Sequence, residues 1–388
     1  MERIGIFGGM FDPPHIGHVR LAEAAVKQLC LDMLYVIPDH TAPSDEKIGF
    51  AAPEDRLNMA KLAFDGMERV SVSDLAIAAG HVIYTCDIVD RVAQSYPNAE
   101  IFLLFGGDKL QNLAKWRGFE KIKNRVKFAI AWRGTRGENK CLDALRDTGA
   151  DVTLLENPVL QLSSGDVRRL LLFRCAHSFL PEGVESYIDI HRLYGIWEDY
   201  KNLPMERLEQ IVISLLNRKR IRHVLGCRDT AIELARIWGA DMTDAARAGL
   251  LHDVTKALDG PLQLTICAEY GTILDDFSAE NPKTLHALTG SFVARDVFGE
   301  NEAVVNAIRS HTTGKGGMNT LEKIIYVADY MEPNRDFPGV EELRRLAYTD
   351  LDGALKLGLE MTLEHLKQQG AEVSPATRDA LEYLKLTV

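Results

Sequence analysis

Every short, β-rich apolar run of this chain falls before about residue 160, and that one-sidedness limits its fold more than any other feature. The runs are Arg3–Phe7, Met33–Ile37, Val70–Ser73, Ile101–Phe105, Lys127–Trp132 and Asp151–Leu155, with helical patterns such as Pro53–Phe64 and Thr85–Ser95 between them. Strands alternating with helices predict an α/β domain, a parallel sheet covered on both faces whose ligands bind at the carboxyl ends of the strands. Past the polar, helix-breaking stretch Tyr200–Pro204 only helical patterns follow: Met205–Leu216, Asp229–Trp238, Thr243–Leu251, Thr284–Phe298, Leu321–Tyr330 and Leu351–Gln368. The expected organisation is an α/β domain over residues 1–195, a linker over 196–204 and an all-α domain over 205–388. The 388 residues suffice for two separate cores.

A formal net charge of -11 argues against a nucleic-acid surface, which needs clustered cations on phosphates. No apolar stretch approaches the length that spans a bilayer, and a strand begins by Ile4, so no membrane, no leader and a cytoplasmic location are expected. The six cysteines are scattered without a C-x-x-C pair, as suits reduced thiols rather than a disulfide framework or zinc site. Nothing here fixes the oligomeric state, and a homo-oligomer stays open.

The first strand runs straight into Gly8-Gly9-Met10-Phe11-Asp12-Pro13-Pro14-His15-Ile16-Gly17-His18 and then a helix. Gly8 and Gly9 let backbone approach an anion, and the helix N-terminus aims unpaired N–H groups at it. His15 and His18 add two imidazoles beside that anion site. Attack on an α-phosphate builds negative charge on equatorial oxygens, which positioned donors stabilise.

In the second half, His252-Asp253 ends the apolar run Ala245–Leu251, among His223, His286, His311 and Asp329. Neighbouring residues point about 100° apart on a helix, so His252 and Asp253 can share an ion only at a bent or terminating turn. Imidazole with carboxylate suits iron, manganese, zinc or nickel better than calcium. Four His and two Asp exceed what one open ion needs; they fit two ions bridged by Asp253.

The D-P-P-H-x-G-H string resembles the nucleotidyltransferase superfamily. Further segments extend that likeness to nicotinate-nucleotide adenylyltransferases: Tyr84-Thr85 with Asp87, Gly106-Gly107-Asp108-Lys109 followed by Trp116, Arg133, Leu162–Arg168, and Val184 through Tyr194. The resemblance implies a Rossmann-like domain that uses ATP with Mg²⁺ and nicotinate mononucleotide. It implies His15 and His18 on the ATP phosphates, with Gly8, Gly9, Met10 and Phe11 lining the nucleotide. It implies Thr85 at the nicotinate carboxylate, Asp108 near a ribose, Trp116 on the pyridine ring, and Arg133, Ser163, Ser164 and Arg168 on phosphates. The sequence departs from that pattern: Met10 replaces Thr, Ile83 replaces Ser, Cys86 alters Y-T-x-D, Gly165 replaces Thr, and V-P-x-x-x-P-P-H-K shrinks to Ile37-Pro38, Pro43 and Lys47. These departures leave open a first half that binds nucleotide as a regulatory module. Phosphopantetheine adenylyltransferases are the competing family, which Trp116 and the S-S-x-x-x-R segment disfavour.

The second half is similar to the HD phosphohydrolase superfamily. His252-Asp253-x-x-Lys256, Ser310-His311-Thr312-Thr313-Gly314 and Ala328-Asp329-Tyr330-Met331-Glu332-Pro333-x-Arg335 look like its bacterial branch that hydrolyses diadenosine tetraphosphate symmetrically to two ADP. That resemblance implies His223, His252, Asp253, His286, His311 and Asp329 as ligands of two transition-metal ions, in that family iron. It also implies catalytic work for Asp253 and a phosphate contact for Lys256. A deoxynucleotide or a guanine alarmone remains an alternative substrate.

Overall fold

The computed structural model describes residues 1–40, 51–131, 136–156 and 162–387. The chain divides into two compact units, Met1–Trp197 and Glu198–Val388.

The first unit is built on a six-stranded parallel sheet: β1 (Arg3–Gly9), β2 (Met33–Pro38), β3 (Val70–Val72), β4 (Glu100–Gly106), β5 (Lys127–Ala131) and β6 (Val152–Leu155). Its order is β3-β2-β1-β4-β5-β6, so the winding reverses between β1 and β4. All six predicted strands are present, each within a residue or two of its expected bounds; Trp132 lies outside the described residues. Parallel strands covered on both faces need unbroken apolar sequence, and β4 meets this with Ile101 to Phe105 all buried. Gly5 makes room inside β1 for the leucines packed on it, because a Cβ there would lie 2.6 Å from Leu34 Cδ1 and 2.7 Å from Leu31 Cδ1.

Four helices of this unit bear on the site: α1 (Ile16–Gln28), α2 (Pro53–Ala63), α3 (Thr85–Ser95) and α4 (Ser164–Leu172). The reversal point opens a crevice at the carboxyl ends of β1 and β4, where doubly wound sheets bind ligands. The Gly8–His18 string leaves β1 at that end.

Among its described residues the second unit is helical. The site draws on α5 (Arg218–Trp238), α6 (Met242–Leu251), α7 (His286–Asp296), α8 (Glu302–Ser310) and α9 (Thr320–Met331). Side-chain caps start most of them. Asn217 Oδ1 accepts from Arg220 N at 3.0 Å, Asp241 Oδ1 accepts from Thr243 N at 2.7 Å, and Asn319 and Glu322 form a reciprocal capping box. Helix α5 begins at Arg218 rather than the expected Asp229. Its basic first turn opposes the helix dipole and Gly226 interrupts its pattern, which hid this part from the sequence. No helix among the described residues is long and apolar enough to cross a membrane.

Helix α6 packs against α5 through Gly249. A Cβ there would lie 2.8 Å from the Arg228 Cα, so only glycine permits this approach. That contact brings the end of α6 level with the middle of α5.

Candidate functional site

In the first unit His15 is the N-cap of α1, and its backbone N–H donates to His18 Nδ1 at 3.2 Å. The two imidazoles stack with centroids 3.7 Å apart. Gly17 leaves the His15 ring undisturbed, since a Cβ there would press on it at 3.0 Å. Because His18 Nδ1 accepts, the neutral ring carries its proton on Nε2 and presents that N–H as a donor. Phe7 and Phe11 flank the ring at 6.0 and 5.0 Å. Burial, and then the charge of Lys109, push the His18 pKa down to about 3. His18 is thus a neutral donor at ordinary pH. A Cβ at Gly8 would meet nothing within 4 Å, and one at Gly9 only the Phe11 ring at 3.5 Å.

The loop that carries Met10 and Phe11 is tethered from several sides. Asp12 is fully buried; its Oδ1 accepts from Ala51 N at 3.0 Å and from the Tyr194 hydroxyl at 2.8 Å. Arg168 Nη1 donates to the Asp12 carbonyl and lies 3.4 Å from its Oδ2. Ser164 Oγ donates to the Pro13 carbonyl at 2.9 Å. The structure therefore places Ser164 and Arg168 on the motif loop, with Ser163 committed to capping α4. Arg56, equally buried, donates to the carbonyls of Met10 at 2.8 Å, Asp39 at 2.7 Å and His40 at 2.8 Å. Sequence reasoning missed Arg56, for which no periodic or motif signal exists, and the roles of Lys109 and of the Asp12–Tyr194 bond, whose residues stood inside quoted segments.

Thr85 is the first residue of α3, and the turn after Trp116 packs onto it: a Cβ at Gly118 would lie 2.9 Å from Cys86 Cβ. Trp116 is half-buried against Phe105, with centroids 6.0 Å apart. Asp108 lies in the turn Gly107–Lys109 that follows β4. Arg133, Pro43 and Lys47 lie outside the described residues.

In the second unit all six expected ligands come together. His252 and Asp253 sit where α6 has ended, which lets neighbours in sequence face one centre. Asp253 Oδ2 lies 3.5 Å from both His223 Nε2 and His252 Nε2, while its Oδ1 lies 3.4 Å from His286 Nε2 and 3.7 Å from His311 Nε2. Asp329 Oδ1 completes the first group at 3.2 Å from His223 Nε2. Within each group the two Nε2 atoms are 3.2 Å apart.

This donor set fits metal ions. Each Nδ1 has a partner elsewhere, so the Nε2 atoms face one another and the carboxylates, an arrangement suited to a central cation. Metal–nitrogen bonds of about 2.1 Å set coordinated nitrogens roughly 3.0 to 3.4 Å apart. The electrostatics call for the same charge. Burial opposes protonation of His223, yet Asp253 and Asp329 raise its pKa to about 9. Burial pushes His252 down to about 4 and His286 well below its usual value. Against burial, His252 and His223 hold Asp253 well below the usual carboxylate range.

Cations surround this centre. Arg220 Nη1 is 2.7 Å from Asp253 Oδ2, Arg335 Nη2 is 2.5 Å from Asp329 Oδ1, and Lys256 Nζ is 2.9 Å from His286 Nε2. The Thr312 hydroxyl lies 3.0 Å from His286 Nε2. Arg220 and Thr312 were given no role from the sequence; Thr312 stands inside a quoted motif and Arg220 three residues before His223, which was the available signal.

A parallel α/β unit with a glycine–histidine loop at the end of its first strand and a helical unit with a His/Asp cluster define the class, and two family models agree with it. A cytidylyltransferase-like model matches residues 6–170, and an HD-domain model matches residues 220–334. A Mycoplasma pneumoniae protein described as a probable nicotinate-nucleotide adenylyltransferase/Ap4A hydrolase is 30% identical over 370 residues, covering 93% of this chain and 98% of that one. The chain belongs to this family of two-domain proteins. A symmetrical bis(5'-nucleosyl)-tetraphosphatase from Halalkalibacterium halodurans is 41% identical over 43% of this chain and 90% of its own. A probable nicotinate-nucleotide adenylyltransferase from Shouchella clausii is 35% identical over 50% of this chain and 98% of its own.

Proposed function

We propose that the protein is a bifunctional enzyme of nucleotide metabolism. Its first unit transfers the adenylyl group of ATP to nicotinate mononucleotide, giving nicotinate adenine dinucleotide and pyrophosphate. Its second unit cleaves diadenosine tetraphosphate symmetrically into two ADP. The observation that carries the hydrolase is the approach of four imidazole Nε2 atoms to the two oxygens of Asp253; the stacked pair His15 and His18 at the end of β1 supports the transferase.

In the transferase, the acceptor phosphate attacks the α-phosphate directly, so positioning and charge stabilisation are the whole task. His18 donates from Nε2 to the oxygens that gain charge, and His15 holds its ring through stacking and backbone. Asp12, Arg168, Ser164 and Arg56 fix the loop between them. Mg²⁺ accompanies the ATP phosphates.

In the hydrolase, His223, His252, Asp253 and Asp329 would hold one ion and His286, His311 and Asp253 a second, with iron the expected metal by resemblance. Bound ions supply Lewis acidity toward the phosphoanhydride and the attacking water. Arg220, Arg335 and Lys256 neutralise the polyphosphate and orient it. Thr312 is placed to bond a phosphate oxygen near His286.

The test is a product assay on full-length protein. It should form nicotinate adenine dinucleotide from ATP and nicotinate mononucleotide, and release only ADP from diadenosine tetraphosphate. Appearance of AMP with ATP from the tetraphosphate would overturn the symmetrical hydrolase, and absence of dinucleotide would overturn the transferase.

A further inference from the structure

The four metal-facing histidines are not held alike. His252 Nδ1 donates to the Gly249 carbonyl at 2.7 Å, His286 Nδ1 to the Lys283 carbonyl at 2.9 Å, and His311 Nδ1 to the Ile308 carbonyl at 2.6 Å. Each acceptor lies three residues earlier, Gly249 in the last turn of α6, Ile308 in the last turn of α8 and Lys283 in the short turn Pro282–Thr284 before α7, where the regular helical ladder begins or ends. His223 lies inside α5, where the nearby carbonyls are already bonded, so its acceptor must come from another element. That acceptor is Glu332, whose Oε1 is 3.2 Å from His223 Nδ1.

Glu332 is itself held. It is 1% exposed, and its Oε2 accepts from Asn334 N at 2.8 Å and Asn334 Nδ2 at 2.7 Å. Gly226 on α5 closes the other side, since a Cβ there would fall 2.4 Å from Oε2. One carboxylate oxygen therefore serves Asn334 and the other serves His223, with no room to turn.

Building on the metal-centre reading above, we infer that Glu332 is a positioning residue that fixes the orientation of His223 and strengthens metal binding in the His223–His252–Asp329 group alone. A carboxylate behind a ligating imidazole raises its basicity, and loss of such a partner weakens metal affinity by about 10 to 100-fold. The His286–His311 group has carbonyls in that place, with Lys256 Nζ also 3.1 Å from His286 Nδ1, and no carboxylate among the described residues, so Glu332 makes the two ion positions unequal.

The test uses the full-length chain stripped by chelator and titrated with cobalt(II), with bound metal per chain counted separately. Wild type should take up two ions. Glu332→Gln keeps the volume but offers one acceptor where two are used, so it should weaken one ion by about 10 to 100-fold and leave the other unchanged. Asn334→Ala, which frees the carboxylate while keeping its charge, should weaken the same ion by a smaller factor. Should Glu332→Gln fail to unfold cooperatively, Asn334→Ala decides alone, and wild-type affinity in it overturns the inference. Two ions at wild-type affinity in Glu332→Gln, or equal weakening of both, overturns the role of Glu332 and spares the metal centre. A wild type that takes up no cobalt overturns both.

Discussion

The ligand cluster of the second unit is assembled from helix ends and one helix interior, whereas the phosphate loop of the first is tethered by side chains that reach it from other elements. Rigid helices fix where His223, His252, His286 and His311 point, so that site depends on the spacing between helices. The loop between Gly9 and His15 depends on individual bonds to Asp12, Pro13 and Met10. Precision comes from packing in one unit and from tethers in the other.

That contrast can be broken most severely at the bridging carboxylate. Asp253→Ala removes the group shared by both ions and should cut diadenosine tetraphosphate hydrolysis by about 10³-fold or more, the several kcal/mol that metal ions supply, while dinucleotide formation continues. His18→Ala should do the reverse, lowering adenylyl transfer by about 10² to 10³-fold with ADP release unchanged. If either substitution abolished both activities, the units would not be separate catalysts.

Subtler changes sharpen the comparison. Gly249→Ala forces α5 and α6 apart and should destabilise the second unit by about 1 to 3 kcal/mol, read by urea unfolding, with weaker metal retention. Tyr194→Phe deletes one bond to buried Asp12; a loss of about 1 kcal/mol should raise the KM for ATP several-fold and leave hydrolysis untouched. A last change concerns pH rather than a single contact. The folded-state pKa of His18 lies at about 3, below its ordinary value, so the unfolded chain binds the extra proton first. Its contribution to stability is present above about pH 6.5 and is lost as pH falls toward 3, and His18→Gln should flatten that slope.

Much of this was legible in the sequence, for reasons that differ by residue. The strands were readable because a doubly covered parallel sheet demands continuous apolar runs. The six clustered His and Asp residues were readable because His and Asp recur within apolar helical stretches, where burying them alone would be costly. Arg56 was not, since its partners Met10, Asp39 and His40 are distant in sequence and are backbone carbonyls, which carry no side-chain signature. Arg168 and Ser164 were expected at nucleotide phosphates; their bonds to the Asp12 and Pro13 carbonyls were not legible, because backbone acceptors leave no signature. Glu332 stood inside a quoted motif, but its task depends on where α5 passes, which no local pattern records.

A peptide group points its carbonyl and its N–H in opposite directions. By drawing the carbonyls of Met10 and Asp39 onto itself, the buried guanidinium of Arg56 turns the amides of Phe11 and His40 the other way. A cation sealed inside the protein thereby sets the direction of backbone dipoles in and beside the motif loop, and replacing it with a neutral side chain would release those dipoles as well as a charge.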